Sequence, residues 1–550
     1  MFSLGGKVVL RMKMRRRHQV LGVGLLFFLF CHISVRANVY ATDLRISGSQ
    51  NAGVIVPGGQ LTISYILNDN ASAGVTVRIC SGTNAVNTIT AFGGSAGTQV
   101  GLNSVVWGGT NDSGTNVAPG VYSVNITAAS RGYDNWTNIT DDGANFSAPM
   151  PRGIDVNRNS NSPYYGRVFI ASTVGLYAII KCNADGSPAD EGGISTGGLS
   201  WGASGGPAAD YSPWKIAVAG NDTVYIDDFS GNGLVYGFDE TIATNAYSDA
   251  VRADNYPLAD SMPYLSGLYA TGLGTNAYVW MADAVAYSSA GILRWQLTSN
   301  GIAATNDPGA VIAPVTNGSP LTLAPYDIAV DTNGFIYAIQ LVDSNELGTV
   351  PIMCFPPYQG TSETNATWAV GAGDTNLLEA YGIAVDQTAT FVAVAIRGAG
   401  DPEYGLTGML NLYYATNGQF FTNLDQTGGD QYTDVAWDNV GNLYALDTIT
   451  NGGVWRVYSP PGSNQATTVA VPIIQAYNAL TPPSLSNPNL SATDLNFTLQ
   501  GQSNVTYVIE QSPDLINWMA VATNYSPYAD RPISISFADN QDFYRAVTGQ

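Results

Sequence analysis

The chain of 550 residues is long enough for about three domains, and it carries 42 Asp and Glu against 21 Lys and Arg, a net charge of −21. So acidic a surface is repelled by phosphate backbones, which argues against nucleic acid as a partner, and by anionic lipid headgroups. Glu, Lys and Arg, from which helix surfaces are built, are scarce, while Gly, Asn, Thr, Tyr and Val abound, the mix of strands and tight turns.

In chain order, residues 1–37 read as an export leader. Arg11, Lys13, Arg15, Arg16 and Arg17 form a basic region, and an apolar run follows from Val20 to Phe30. That run is short of the roughly 20 residues that span a bilayer. Ala37 and Ala41 offer cleavage points, with Val35 and Val39 at the −3 positions. The expected destination is outside the cell or on its surface, with no membrane insertion after cleavage. The leader holds seven of the 21 cations and no acid, so the remainder has 14 cations against 42 acids, a net charge of −28. It also holds both histidines, His18 and His32. The expected mature chain therefore lacks the commonest general base and metal ligand, and every Ser-His or Cys-His pair. Cys80, Cys182 and Cys354 remain, with no zinc spacing among them. They read as small buried apolar residues, with Cys182 and Cys354 the pair to consider for a disulfide.

Residues 42–130 read as a β-sandwich. Leu61 to Leu67 and Val75 to Ile79 alternate inward and outward residues. A Trp107-Gly, Asn111-Asp112-Ser-Gly114 and Pro119-Gly120-Val-Tyr122 series follows, and its Gly residues suit left-handed turn positions. These residues resemble the FlgD-type immunoglobulin-like module of flagellar hook-capping proteins, a likeness that implies a non-catalytic spacer or docking unit.

From 150 to 475 one phrase recurs: an apolar strand, an Asp, Asn and Gly turn, then an aromatic-bearing strand. Copies begin Gly153-Ile, Lys215-Ile, Gly267-Leu, Asp327-Ile, Gly382-Ile and Asp434-Val, spaced by 62, 52, 60, 55 and 52 residues. A period of 50 to 60 with several strands per unit signals a propeller, since a lone four-stranded sheet cannot bury both faces. Asp331-Thr-Asn-Gly334-Phe-Ile-Tyr337 and Asp438-Asn-Val-Gly441-Asn-Leu-Tyr444 resemble NHL-type propeller repeats, and the six copies correspond to six blades. Residues 478–492, rich in Pro, Ser and Asn, read as a linker. In 493–550 the motifs Tyr507-Val-Ile-Glu-Gln-Ser512, Asp514-Leu-Ile-Asn-Trp518 and Phe543-Tyr544-Arg545 resemble a small C-terminal β module of exported bacterial proteins. The expected fold class is all-β: a six-bladed β-propeller between an N-terminal immunoglobulin-like sandwich and a small C-terminal β domain.

Candidate chemistry is sparse. Asp155, Asn157, Asn159 and Asn161 space oxygen ligands two apart, as a calcium loop does, but with one carboxylate and without the Gly and bidentate Glu of that pattern. Turn capping by the same side chains is the structural alternative. Asp227 and Asp228 follow a second-strand position near an expected channel mouth. Tyr164, Tyr165, Tyr211 and Trp214 lie in or beside Pro- and Gly-bearing loops, placed to stack on a ligand or to pack between sheets. Lactonases of related propeller shape use a metal-binding Glu at the start of the first blade, and no Glu stands near Pro151 to Ile154. Two functions follow. One is a secreted or cell-surface binding or structural protein whose loop face meets a glycan, polymer or protein. The other is an extracellular carbohydrate hydrolase or lyase using carboxylates at the propeller mouth, with calcium as an aid.

Overall fold

The computed structural model describes residues 38–548 apart from 174–177, 190–197, 202–211, 230–233, 243–246, 253–264, 285–290, 306, 308, 317–318, 399–407, 426–429, 478–481, 492–493, 504, 527–529 and 537–541. The expected leader thus lies outside the described residues. Among those described the chain is all-β, its helices being single 3-10 turns, and no helix is long and apolar enough to cross a membrane.

Six four-stranded antiparallel sheets account for the repeats. Their first strands are Pro151–Val156, Ile216–Val218, Leu265–Thr271, Pro325–Val330, Ala380–Val385 and Tyr432–Trp437, which begin sheets 1 to 6. Each first strand packs beside that of the next sheet, and that of sheet 6 packs beside that of sheet 1. The arrangement is propeller-like, and the sequence pattern explains it. The strands are buried on both faces, so they read as apolar runs rather than alternations. Apolar side chains from adjacent sheets interleave: Phe169, Ala171 and Ile179 of sheet 1 meet Ile216, Ile226 and Tyr236 of sheet 2. Each Ile so buried contributes about 1.5–3 kcal/mol.

Sheet 6 is completed from far away in sequence. Thr137–Asn138 pairs with Val454–Ser459, placing Asn138 opposite Tyr458, so a strand preceding sheet 1 becomes the outer strand of sheet 6. Arg456 fastens this closure, with Nε to Asp142 Oδ1 at 2.8 Å and Nη1 to Asp430 Oδ2 at 2.7 Å.

The sandwich places Ala41–Ile46, Leu61–Leu67 and Gly101–Trp107 in one sheet. The facing sheet runs in the order Ala52–Ile55, Ile473–Ala476, Gly120–Tyr133, Gly74–Ser81, Asn84–Ala91, and Gly462–Val469 also pairs with Gly120–Tyr133. Residues 462–476, which the sequence groups with the repeats, therefore belong to the sandwich. Their polar-alternating strand matches a half-exposed sheet better than a buried one. The turn residues do what their chemistry suits. The Asn111 side chain accepts from Ser113 N at 3.0 Å and Thr115 N at 2.9 Å, and Gly114 holds φ +78°. Tyr122 donates to Ala118 O at 2.7 Å and rests against buried Trp107.

The segment expected to be a linker contributes a strand, Ser484–Leu490, paired with Asp494–Gln500. Two three-stranded sheets form the C-terminal unit around Phe497, Tyr507, Ile509 and Ile533. It is tied to the sandwich through Tyr477, which donates to Ser503 O at 2.6 Å, and through Val54. Cys80, Cys182 and Cys354 are all free and buried, so Cys182 and Cys354 are not bridged.

Candidate functional site

The copies of the repeat place one residue each at the same level of the axis: Gly153, Lys215, Gly267, Asp327, Gly382 and Asp434. Glycine and a charged residue alternate. The glycines are steric necessities, because a Cβ on Gly153 would lie 2.7 Å from Lys215 Cα, and one on Gly267 or Gly382 would lie 2.6 Å from the Cα of Asp327 or Asp434. The charged residues of sheets 2, 4 and 6 then meet at the centre. Lys215 Nζ lies 3.0 Å from Asp327 Oδ2 and 2.6 Å from Asp434 Oδ1, and donates to Tyr381 O at 3.2 Å. All three side chains are buried.

The carboxylates also latch neighbouring sheets. Asp434 Oδ2 accepts from Ile154 N at 2.8 Å, Asp327 Oδ2 from Ile383 N at 3.0 Å, and Asp155 Oδ2 from Val218 N at 2.7 Å. Hydrogen bonds to charged groups contribute about 1.5–3 kcal/mol each. Burial, and then the Asp434 charge, push Asp327 up to about 7 against the pull of Lys215. Burial likewise raises Asp434 and Asp155, and it raises Asp227 well above the ordinary carboxylate range. The cavity among these groups is only ≈ 20 Å³, room for about one water.

At the end of the axis where the repeats' first turns lie, Arg158 pairs with Asp155 Oδ1 at 2.5 Å. Asn157 and Asn159 close turns on themselves: the Asn157 side chain accepts from Asn159 N, that of Asn159 accepts from Asn161 N, and both amides donate to Asp222. Tyr165 packs edge-on against Tyr40, and Arg167 lies over the Tyr164 ring. The sandwich docks on this end through Asn442, which donates to Asn38 O at 2.9 Å, and through the Tyr40 and Tyr444 hydroxyls at 3.3 Å. Of the predicted residues at this end, Tyr165 meets the sandwich segment directly, Asn157 and Asn159 meet at Asp222, and Asp155 is engaged by Arg158 and two backbone N–H groups.

The opposite end carries Trp214, Asp227 and Asp228. Tyr211 lies outside the described residues. Asp227 and Asp228 are fully buried; Asp227 Oδ1 accepts from Lys215 N at 2.5 Å, Tyr236 donates to Asp228 Oδ2 at 3.3 Å, and Asp227 Oδ2 has no hydrogen-bond partner. Trp214 stacks on Phe229 at 4.4 Å, and Arg152 lies over the Trp214 ring at 5.0 Å.

Residues that the sequence reading passed over complete this end. In five sheets the first strand shifts register one residue before the glycine or charged position, leaving Arg152, Ser266, Tyr326, Tyr381 and Thr433 as the bulged residues. A bulge re-aims its side chain. Here Arg152, Tyr326 and Tyr381 gather with Arg397, which donates to Tyr381 Oη at 2.9 Å. Tyr326 and Tyr381 meet edge to face at 4.6 Å. Arg152 Nε, Arg397 Nε and Trp214 Nε1 are all buried donors without an acceptor. Burial and the neighbouring Arg397 charge lower Arg152. The available signal was positional: these residues directly precede the repeat's own landmark.

No family model matches the chain, and no curated protein does. Solved structures similar to it include a gluconolactonase from Xanthomonas campestris, at 13% identity and a TM-score of 0.37, covering 60% of this chain and 97% of that one. The apo-form of a soluble aldose sugar dehydrogenase from Escherichia coli is similar at 10% identity and a TM-score of 0.37, covering 60% and 99%. A glucose dehydrogenase aligns at 9% identity and a TM-score of 0.25, covering 43% and 92%. Likeness at this level assigns no activity.

Proposed function

We propose that this is a secreted or cell-surface protein that binds its ligand without transforming it. In this reading the six sheets are the blades of an NHL-type propeller. A FlgD-type sandwich holds one end of it, the C-terminal module serves attachment, and the leader is removed on export. The ligand, a glycan, polymer or protein, meets the loop end that carries Arg152, Trp214 and Arg397.

One observation carries the proposal: the axial carboxylates are spent on backbone N–H groups and on Lys215, around a cavity that holds about one water. An acid and base acting on a glycosidic bond need two accessible carboxyls with substrate between them. The three donors without acceptors at the loop end favour a ligand rich in oxygen acceptors.

Retention of the purified chain on insoluble polysaccharides and cell-wall sacculi tests the reading. Binding is expected, and it should fall at least fivefold in the Arg152→Ala, Arg397→Ala double variant. Release of reducing ends or unsaturated products from any of these polymers would overturn it.

The hydrolase or lyase alternative has one favourable feature, the buried Asp227 carboxyl, whose Oδ2 has no hydrogen-bond partner and whose pKa burial raises. Asp227→Asn would then abolish turnover. Calcium at Asp155, Asn157, Asn159 and Asn161 belongs to that alternative and would appear as a metal-dependent rise in melting temperature.

A further inference from the structure

A cleft of ≈ 510 Å³ opens between sheets 4 and 5, away from the axis. It is within the ~300–1,000 Å³ range of small-molecule sites. Its floor is the strand Met409–Tyr414 of sheet 5. Alternation sends Leu410 and Leu412 toward sheet 6 and leaves Met409, Asn411 and Tyr413 facing sheet 4. Asn411 thus occupies a row that holds Ile180, Tyr236, Leu293 and Met353 in sheets 1 to 4 and the ion-paired Arg456 in sheet 6. It is 4% exposed, its Nδ2 reaches Tyr413 Oη only at 3.4 Å, and its Oδ1 has no partner. A buried amide oxygen left so is costly to the fold, which points to a partner that the protein itself does not supply.

The rim is suited to the same partner. Phe420 presents a ring that is 52% exposed and is braced edge-on by Tyr413 at 5.7 Å. Asp374 takes both of its bonds from Asn376 on Oδ1, and Asn423 uses its oxygen on Asp425 N, so these bonds leave Asp374 Oδ2 and the Asn423 amide nitrogen uncommitted on two residues that line the cleft. Among the described lining residues Asp374 is the only acid and none is basic. Donors and acceptors in mixture, without a cation, match hydroxyl groups, each of which both gives and takes a hydrogen bond. An aromatic face beside them matches the C–H face of a sugar ring.

We propose that this cleft binds a neutral saccharide of one or two pyranose rings, with Phe420 against a ring face and Asn411, Asn423 and Asp374 on its hydroxyls. The inference rests on the glycan form of the proposed function but assigns a site separate from the loop end.

Saturation-transfer NMR on the mature chain with cellobiose, maltose, xylobiose and chitobiose tests it. At least one disaccharide should receive saturation, with affinity reduced tenfold or more in Phe420→Ala and in Asn411→Leu and unchanged in the Arg152→Ala, Arg397→Ala double variant. Asn411→Leu should also melt at or above the temperature of the parent, as expected of a residue kept for a ligand at some cost to stability. Silence from all four sugars, or a signal that survives both cleft substitutions, overturns the inference. Polymer retention that persists alongside either result would leave the loop-end reading intact, whereas disaccharide binding with no polymer retention would fail that reading alone.

Discussion

Lys215→Met removes the cation at the centre of the ring while keeping the length of the side chain. In the parent, Lys215 Nζ holds Asp327 at 3.0 Å and Asp434 at 2.6 Å, both buried. Removing one partner of a buried pair costs about 3–5 kcal/mol, because the remaining charge is left without compensation. At about 2 °C per kcal/mol for a unit of this size, the melting transition of the ring should fall by roughly 6–10 °C at pH 8. The loss should shrink on acidification. Burial already holds both carboxyls above the ordinary carboxylate range with the lysine present, and removing its charge raises them further. A carboxyl whose folded pKa exceeds its unfolded value of ~3.9 contributes stability that is complete below that pH and is lost as pH rises through the folded value. At pH 5 the variant therefore carries neutral carboxyls, and the deficit drops to the order of one neutral hydrogen bond, ~1 kcal/mol. Thermal unfolding followed by near-ultraviolet circular dichroism at pH 5 and pH 8 reads both numbers. An equal deficit at the two pH values, or none at pH 8, would refute the reasoning. The charge-free variant Lys215→Met, Asp327→Asn, Asp434→Asn should recover most of the pH 8 loss.

Gly382→Ala should destabilise the ring by about 1–3 kcal/mol or more, since its Cβ would meet Asp434 Cα at 2.6 Å and backbone cannot yield; a melting curve matching the parent contradicts this. Ending the chain at residue 459 should unfold the sandwich while sheets 1 to 6 keep their transition, because 462–476 supply two of its strands; a transition present in a chain ended at 477 and absent from the one ended at 459 would show it. The three cysteines should resist alkylation at pH 8 in the folded protein and all react once it is denatured, for burial pushes the Cys182 and Cys354 thiols up to about 12. Any thiol missing after denaturation without reductant would indicate a disulfide.

Local chemistry made the strands legible, because apolar runs bounded by Asp, Asn and Gly turns form buried β-hairpins whatever surrounds them. The landmark of each repeat could likewise be lined up by eye, from Gly153 to Asp434. The sequence could not say that Lys215, Asp327 and Asp434, up to 219 residues apart, share one point on an axis. Nor could it say that the glycines between them exist to let their backbones through. Closure decides both, since a side chain's partner in a ring lies on another sheet and no spacing along the chain encodes it. The same reason misplaced the domain limits: Thr137–Asn138 and residues 462–476 pair with partners hundreds of residues away. Composition alone established an acidic, lysine-poor β-protein with both of its histidines in the first 37 residues. Which of its few cations lack a carboxylate, and where they gather, only the folded chain decided, because burial and distance, not residue type, set what an arginine or an aspartate can do.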